Sequence, residues 1–217
     1  PSASNYDEAA NVDDGSCTYP DNGDYFLSFD GDDDYVYIPS GIFNTNEDFT
    51  ISINIRPDPN HDNSARVFHK QVGGTVNITL EESNDEKVIQ FGIKCDVSWH
   101  QLSTDILYDD FYHEYTITYS KFNSLILYRD GNFIDILDLN INTCNCTQGG
   151  CDEYTTIGGP PSTQDDQRYK GEINQIAIWD IVLSNNEILD YLSNNVSQEQ
   201  SLIGFWDFNA GTGTTLY

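Results

Sequence analysis

The segment Phe49-Thr50-Ile51-Ser52-Ile53-Asn54-Ile55 alternates apolar and polar residues without a break. Only an extended strand, whose side chains point to opposite faces in turn, places Phe49, Ile51, Ile53 and Ile55 on one side. Similar short runs recur at Tyr25–Phe29, Tyr35–Ile38, Arg66–Lys70, Thr75–Leu80, Val88–Lys94, Glu114–Tyr119, Leu125–Arg129, Phe133–Leu137, Glu172–Trp179 and Leu202–Phe208, with turn residues between them. Asp130-Gly131 tolerates the positive φ values of a tight primed turn and predicts a hairpin between two of these runs. One helix interrupts the series: Ser184-Asn185-Asn186-Glu187 has capping-box spacing, and Ile188, Leu189 and Leu192 follow on one helical face. That helix is expected at a sheet edge or rim. The 14 Tyr, 11 Phe and absence of Met fit an all-β class, and 217 residues suffice for one large sandwich.

Charge narrows the partners. Thirty-six acidic against nine basic side chains give a formal net charge of -27, which repels a phosphate backbone or an anionic membrane surface. Nucleic acid is excluded as an expected partner, and no apolar run approaches the length of a membrane span. The same self-repulsion opposes a compact state unless counter-charge offsets it, and Ca2+ is the expected cofactor because it takes carboxylate and amide oxygens. Two acidic clusters supply such ligands: Asn11, Asp13 and Asp14 near the amino terminus, and Asp30, Asp32, Asp33 and Asp34 between the first two strands. Asp and Asn also mark turns by bonding their own backbone, so each cluster has a purely structural alternative.

Cysteines and sequons address the compartment. Cys144, Cys146 and Cys151 are packed together, while Cys17 and Cys95 stand apart. A disulfide-pinned loop is preferred over a zinc site, because no His lies close in sequence and paired Cys-x-x-Cys knuckles are missing. Two of the clustered cysteines are expected to be oxidised, with Cys95 a long-range partner for the third. Asn-x-Ser/Thr sequons stand at Asn77, Asn145 and Asn195 and serve as glycan acceptors only on a secretory route. The chain is therefore expected to be a mature or excised segment of a secreted or cell-surface protein. Residues 1–24 are rich in Asn, Asp, Ser, Gly and Pro and lack apolar periodicity, which predicts a linker or a calcium-stapled repeat ahead of a β-sandwich over 25–217.

Several motifs in order carry a family likeness. Leu27-Ser28-Phe29-Asp30-Gly31-Asp32-Asp33-Asp34-Tyr35-Val36, then Phe49-Thr50-Ile51-Ser52 to Arg56-Pro57, resemble the opening strands of laminin-G-like jelly rolls in bacterial and algal surface proteins. Gly171-Glu172-Ile173-Asn174-Gln175-Ile176-Ala177-Ile178-Trp179, with Leu183-Ser184 and Glu187-Ile188, is similar to the last core strand and short helix of that family. Leu202-Ile203-Gly204-Phe205-Trp206-Asp207-Phe208-Asn209 resembles its bordering aromatic motif. Asn174-Gln175 stand where the family often has Asp-Glu. Asn5 to Cys17 look like a short repeat of microbial surface proteins that has an upstream Cys, absent here. The resemblance implies an antiparallel concanavalin A-like sandwich with one carboxy-terminal helix.

Some sandwiches of this type are glycoside hydrolases with Glu-x-Asp-x-x-Glu on one strand; no such pattern occurs, and no Gly-x-Ser-x-Gly elbow or His-Glu-x-x-His pair accompanies the four His residues. No catalytic residue is assigned and the chain is expected not to be an enzyme. Flat aromatic rings can stack on sugars; Trp179 and Trp206 lie in apolar runs and are expected in the core, which leaves Trp99, beside Ser98, His100 and Gln101, as the ligand-contacting candidate. The leading expectation is a structural or adhesive repeat that assembles with copies of itself or adjoining repeats, with a carbohydrate-binding module as the alternative. In that assembly Leu202–Phe208 either closes its own sandwich or completes a neighbour's sheet, and Cys17 bonds a Cys of the preceding unit.

Overall fold

The computed structural model describes residues 25–38, 42–61, 64–70, 75–83, 86–95, 98–141, 154–160, 167–194 and 201–208. Along these residues the chain forms β1 (Leu27–Asp30), β2 (Val36–Ile38), β3 (Phe49–Pro57), β4 (Ala65–Lys70), β5 (Thr75–Ser83), β6 (Glu86–Cys95), β7 (Ser98–Asp105), β8 (His113–Ser120), β9 (Ser124–Arg129), β10 (Asn132–Asp138), β11 (Thr155–Ile157), β12 (Lys170–Trp179), α1 (Asn185–Asn194) and β13 (Leu202–Trp206). One sheet runs β1-β12-β3-β8-β9-β10 with β13 also on β12, and the other runs β2-β11-β4-β5-β6-β7. Strand neighbours are antiparallel throughout both sheets. The expected all-β sandwich is the observed fold.

Alternation explains the core. Phe49, Ile51 and Ile53 of β3 pair across to Tyr119, Ile117 and Tyr115 of β8, so one parity of each strand builds a continuous apolar surface. That surface meets Val76, Ile78 and Leu80 of β5 and Ile89, Phe91 and Ile93 of β6 in a single buried cluster. Each such side chain contributes about 1.5–3 kcal/mol when fully buried. In β12 the parity slips at a bulge between Ile173 and Gln175, so Ile173, Ile176 and Ile178 all reach the core and Asn174 is the extra residue.

The other face of the first sheet is closed by α1, which corrects the expected edge position. Ala177 and Trp179, of opposite parity to Ile176 and Ile178, pack with Tyr128, Leu183, Ile188 and Tyr191 in a second cluster. Trp179 meets the Tyr191 ring edge-on at 4.8 Å between centroids. A strand apolar on both faces demands a cover on each, and the helix is the second cover. Ser184 caps it as expected: its N–H and Oγ–H donate to the Glu187 carboxylate at 2.7 and 2.6 Å. Thr50 Oγ fixes the approach to the helix, donating to the Ile181 carbonyl at 2.8 Å and accepting from Leu183 N–H at 3.0 Å.

The carboxy-terminal strand closes its own sandwich: Ile176, Ala177 and Ile178 of β12 pair with Trp206, Phe205 and Gly204 of β13, and Trp206 and Phe208 join the core. Two strands escape the apolar pattern. In β7 only Leu102 and Thr104 are buried, and β11 is the three residues Thr155–Ile157. The Asp130-Gly131 turn is as expected, with φ of +50° and +72°. A Cβ on Gly131 would lie 2.5 Å from Leu189 Cδ2, so the turn must stay small where α1 crosses it. Gly131→Ala should therefore destabilise by roughly 1–2 kcal/mol from the left-handed backbone alone, with an added steric part that Leu189→Ala relieves; urea unfolding of the single and double variants measures both.

Candidate functional site

While the first sheet is covered, the outward parity of the second is polar and forms a groove of about 260 Å³ lined by Arg66, Asn77, Thr79, Glu81, Gln90, Gly92, Trp99, Gln101 and Gln167. The register makes this constellation inevitable once the strands pair: Arg66 is opposite Thr79, Thr79 opposite Gln90, Asn77 opposite Gly92, and Gly92 opposite Gln101. Trp99 sits two residues along β7 from Gln101 and is 45% exposed. Its ring lies across Gly92, where an added Cβ would meet the ring at 3.1 Å. The absence of a side chain at Gly92 thus lets the indole approach the sheet, and Asn77, Gln90 and Gln101 line the same groove. His69 Nδ1 donates to Asn77 Oδ1 from the neighbouring strand, and Ser64 Oγ donates to Glu81 Oε2 at 2.8 Å. An apolar plate bordered by neutral donors and acceptors matches a sugar, which offers an apolar C–H face and a rim of hydroxyls.

Of the residues singled out from sequence, Trp99 and Asn77 meet in this groove. Trp179 and Trp206 are buried, as expected. Asp30, Asp33 and Asp34 gather, with ligand oxygens within 4.8 Å of one another, whereas Asp32 does not join them. Asp30 Oδ1 accepts from Asp32 N–H at 2.8 Å and Asp34 Oδ2 from Asp30 N–H at 3.1 Å. The loop is thus held by its own turn bonds, and its exposed carboxylate oxygens are of the hard type that Ca2+ takes. Asn11, Asp13, Asp14, Cys17, Cys144, Asn145, Cys146, Cys151 and Asn195 lie outside the described residues, and Cys95 ends β6 opposite Ser98.

With the geometry in hand, the comparisons define the class. A laminin G family model described as the concanavalin A-like lectin/glucanases superfamily matches residues 30–189. The chain belongs to this superfamily. A search of curated protein sequences found no match. Among solved structures, a Bacteroides ovatus protein proposed to bind carbohydrate is similar at a TM-score of 0.65 and 12% identity over 84% of this chain and 52% of its own. Domain 4 of the extracellular arabinanase AbnA from Geobacillus stearothermophilus, solved with arabinotriose, is similar at 0.57 and 12% over 76% and 75%. The CBM40 of the Ruminococcus gnavus IT-sialidase, bound to α2,3-sialyllactose, is similar at 0.53 and 13% over 67% and 83%. The chain spans about half the length of the Bacteroides protein.

Among the described residues a second cluster of titratable groups stands apart from this groove. A cleft of about 400 Å³ carries Asp30, Arg56, Asp58, Lys170 and Glu172, but its cations are engaged: Arg56 bonds Glu172 at 2.5 and 2.9 Å, and Lys170 Nζ lies 3.8 Å from Asp58. Sequence reasoning missed Glu114, which sits on the outward parity of β8 beside Ser52 and Asn54 and is buried. Burial pushes its carboxyl up to about 7, against the opposing hydrogen bond from Ser52 Oγ at 2.6 Å. Because the folded value exceeds the ordinary 4.5, the native state holds the proton longer than the unfolded chain, and stability falls as pH rises from 4.5 through 7. His113 acts in the same direction: despite burial, hydrogen bonds to Asp130 and Asp109 raise its value, and the stability this adds below the ordinary 6.5 is lost above the folded value. Glu114→Gln should match the parent near pH 4 and exceed it at pH 8 by on the order of 3 kcal/mol, read from denaturant unfolding across that pH range.

Proposed function

We propose that this domain is a non-catalytic carbohydrate-binding module of an extracellular protein, and that the groove over β4–β7 receives the sugar. The observation that carries this reading is the exposed Trp99 ring laid across Gly92, with Asn77, Gln90 and Gln101 lining the same groove. Stacking on the indole supplies affinity, and the amides, which both donate and accept, bond the hydroxyl rim. The carbohydrates bound by the Geobacillus and Ruminococcus domains support the same use of a shared fold. With four amides, one Thr, one Glu and one Arg, the lining favours a neutral glycan over an acidic one, and the overall charge of -27 adds to that preference. No helix among the described residues is long and apolar enough to cross a membrane.

The assembly reading takes second place and rests on the edge strand β10, which exposes Phe133 and Ile136. Nothing in it conflicts with a sugar-binding groove on the opposite sheet.

Trp99→Ala should weaken binding of neutral oligosaccharides at least tenfold, about 1.4 kcal/mol, without changing the unfolding midpoint. Titration calorimetry against arabino-, xylo-, gluco- and manno-oligosaccharides reads the first, and an unchanged affinity defeats the proposal. For the loop at Asp30, Asp33 and Asp34 we propose a Ca2+ that offsets local repulsion. Binding only the folded state raises stability by mass action, about 2.7 kcal/mol at a hundredfold excess over Kd. The melting temperature should rise with Ca2+ over chelator, and Asp33→Asn with Asp34→Asn should abolish the difference.

A further inference from the structure

The sequon Asn77-Ile78-Thr79 lies inside the groove itself. Residues two apart on a strand share a face, so Asn77 and Thr79 both line it while Ile78 points into the core. Asn77 has His69 opposite it on β4 and Gly92 opposite it on β6. The hydrogen bond from His69 Nδ1 engages Oδ1 from the β4 side, and on the other side of Asn77 runs β6. There the neighbour is a glycine, and the Trp99 ring lies across it.

We infer that Asn77 is a modification site whose occupancy closes the groove, so that an N-glycan on Asn77 and an external oligosaccharide exclude each other. This rests on the carbohydrate-binding reading of the same groove. In the transfer, Asn77 Nδ2 forms a bond to the anomeric carbon of a lipid-pyrophosphate-linked oligosaccharide. The bond from that carbon to the pyrophosphate oxygen breaks, the lipid pyrophosphate leaves, and Nδ2 gives up one proton. Oδ1 is untouched and still accepts from His69, so the modified side chain keeps its orientation. Asn77 lies on a strand with neighbours on both sides, so transfer precedes closure of the sheet. After folding, the first sugar stands over Gly92 against the one exposed indole of the groove, in a space of about 260 Å³. A second sugar then has neither the ring nor the amides of Asn77 and Gln101 to bind.

The test uses the wild-type chain secreted from one eukaryotic host, with and without an inhibitor of lipid-linked oligosaccharide assembly. Glycopeptide mapping scores Asn77, Asn145 and Asn195, and calorimetry against the neutral oligosaccharide panel scores binding. The expected result is that Asn77 is occupied in the untreated chain and that this form binds at least tenfold more weakly than the unmodified one. Trimming to a single N-acetylglucosamine should leave the groove blocked. An unoccupied Asn77 in the untreated chain, or an occupied Asn77 with undiminished affinity, overturns the inference and leaves the carbohydrate-binding reading standing. Failure of the unmodified chain to bind any of the panel overturns that reading, and this inference with it.

Discussion

The apolar seam between the two sheets is the contact on which everything else in this domain depends. β3 stands at its centre, hydrogen-bonded to β12 on one side and β8 on the other, and it commits Ile51, Ile53 and Ile55 to the seam. Once those residues face inward, period-two geometry sends Ser52 and Asn54 outward, along with their cross-strand partners Thr116 and Glu114. The outer faces are therefore consequences of the core. What happens on them differs: α1 covers the first sheet through Ile188 and Tyr191, and the second keeps a polar groove. A binding surface built on paired strands is stiff, which limits the ordering cost when a ligand arrives.

Acidity shapes the molecule in a more local way than the total charge suggests. Carboxylates that find partners do so at particular seams: Glu172 with Arg56, Asp105 with Arg129 at 3.1 Å, and Asp130 with His113 at 2.8 Å. Glu114 instead is buried on the outward parity of β8 beside Ser52, where a neutral carboxyl is the form that suits the surroundings. Protonation of Glu114 and of His113 both favour the folded state, whereas the carboxyls of Asp58, Asp105, Asp109 and Glu187, held below their ordinary values by hydrogen bonds, act the other way as pH falls. The loop at Asp30, Asp33 and Asp34 concentrates like charges at one end of the sandwich, and the alkyl chain of Lys170 packs close to Gly31 of that loop.

Most strands were legible because each run carries its own apolar parity, as in Phe49–Ile55 and Val88–Lys94. The capping box at Ser184 and the Asp130-Gly131 turn were legible for the same reason, since both are written in adjacent residues. β7 was not, because Ser98-Trp99-His100-Gln101 carries no apolar alternation and only Leu102 and Thr104 turn inward. β11 is too short to show a period. The helix was placed at a rim because its apolar face says only that a cover is needed, and the second apolar parity of β12 at Ala177 and Trp179 is what receives it.

For the site, the local sequence around Trp99 marked a surface aromatic, since polar neighbours on a strand deny the ring a place in the core. Its meaning as a binding plate was decided by register. Gly92 and Asn77 come beneath and beside the indole only when β5, β6 and β7 pair as they do, and Gln90, Gln101 and Arg66 arrive by the same pairing. By itself the sequence determined the fold class, the two parities of most strands, the helix cap and the acidic character, all of which depend on neighbouring residues or on composition. Only the tertiary structure decided which outward residues share one groove and which face the helix closes. Cross-strand register depends on contacts between residues distant in the chain, and no local pattern encodes it.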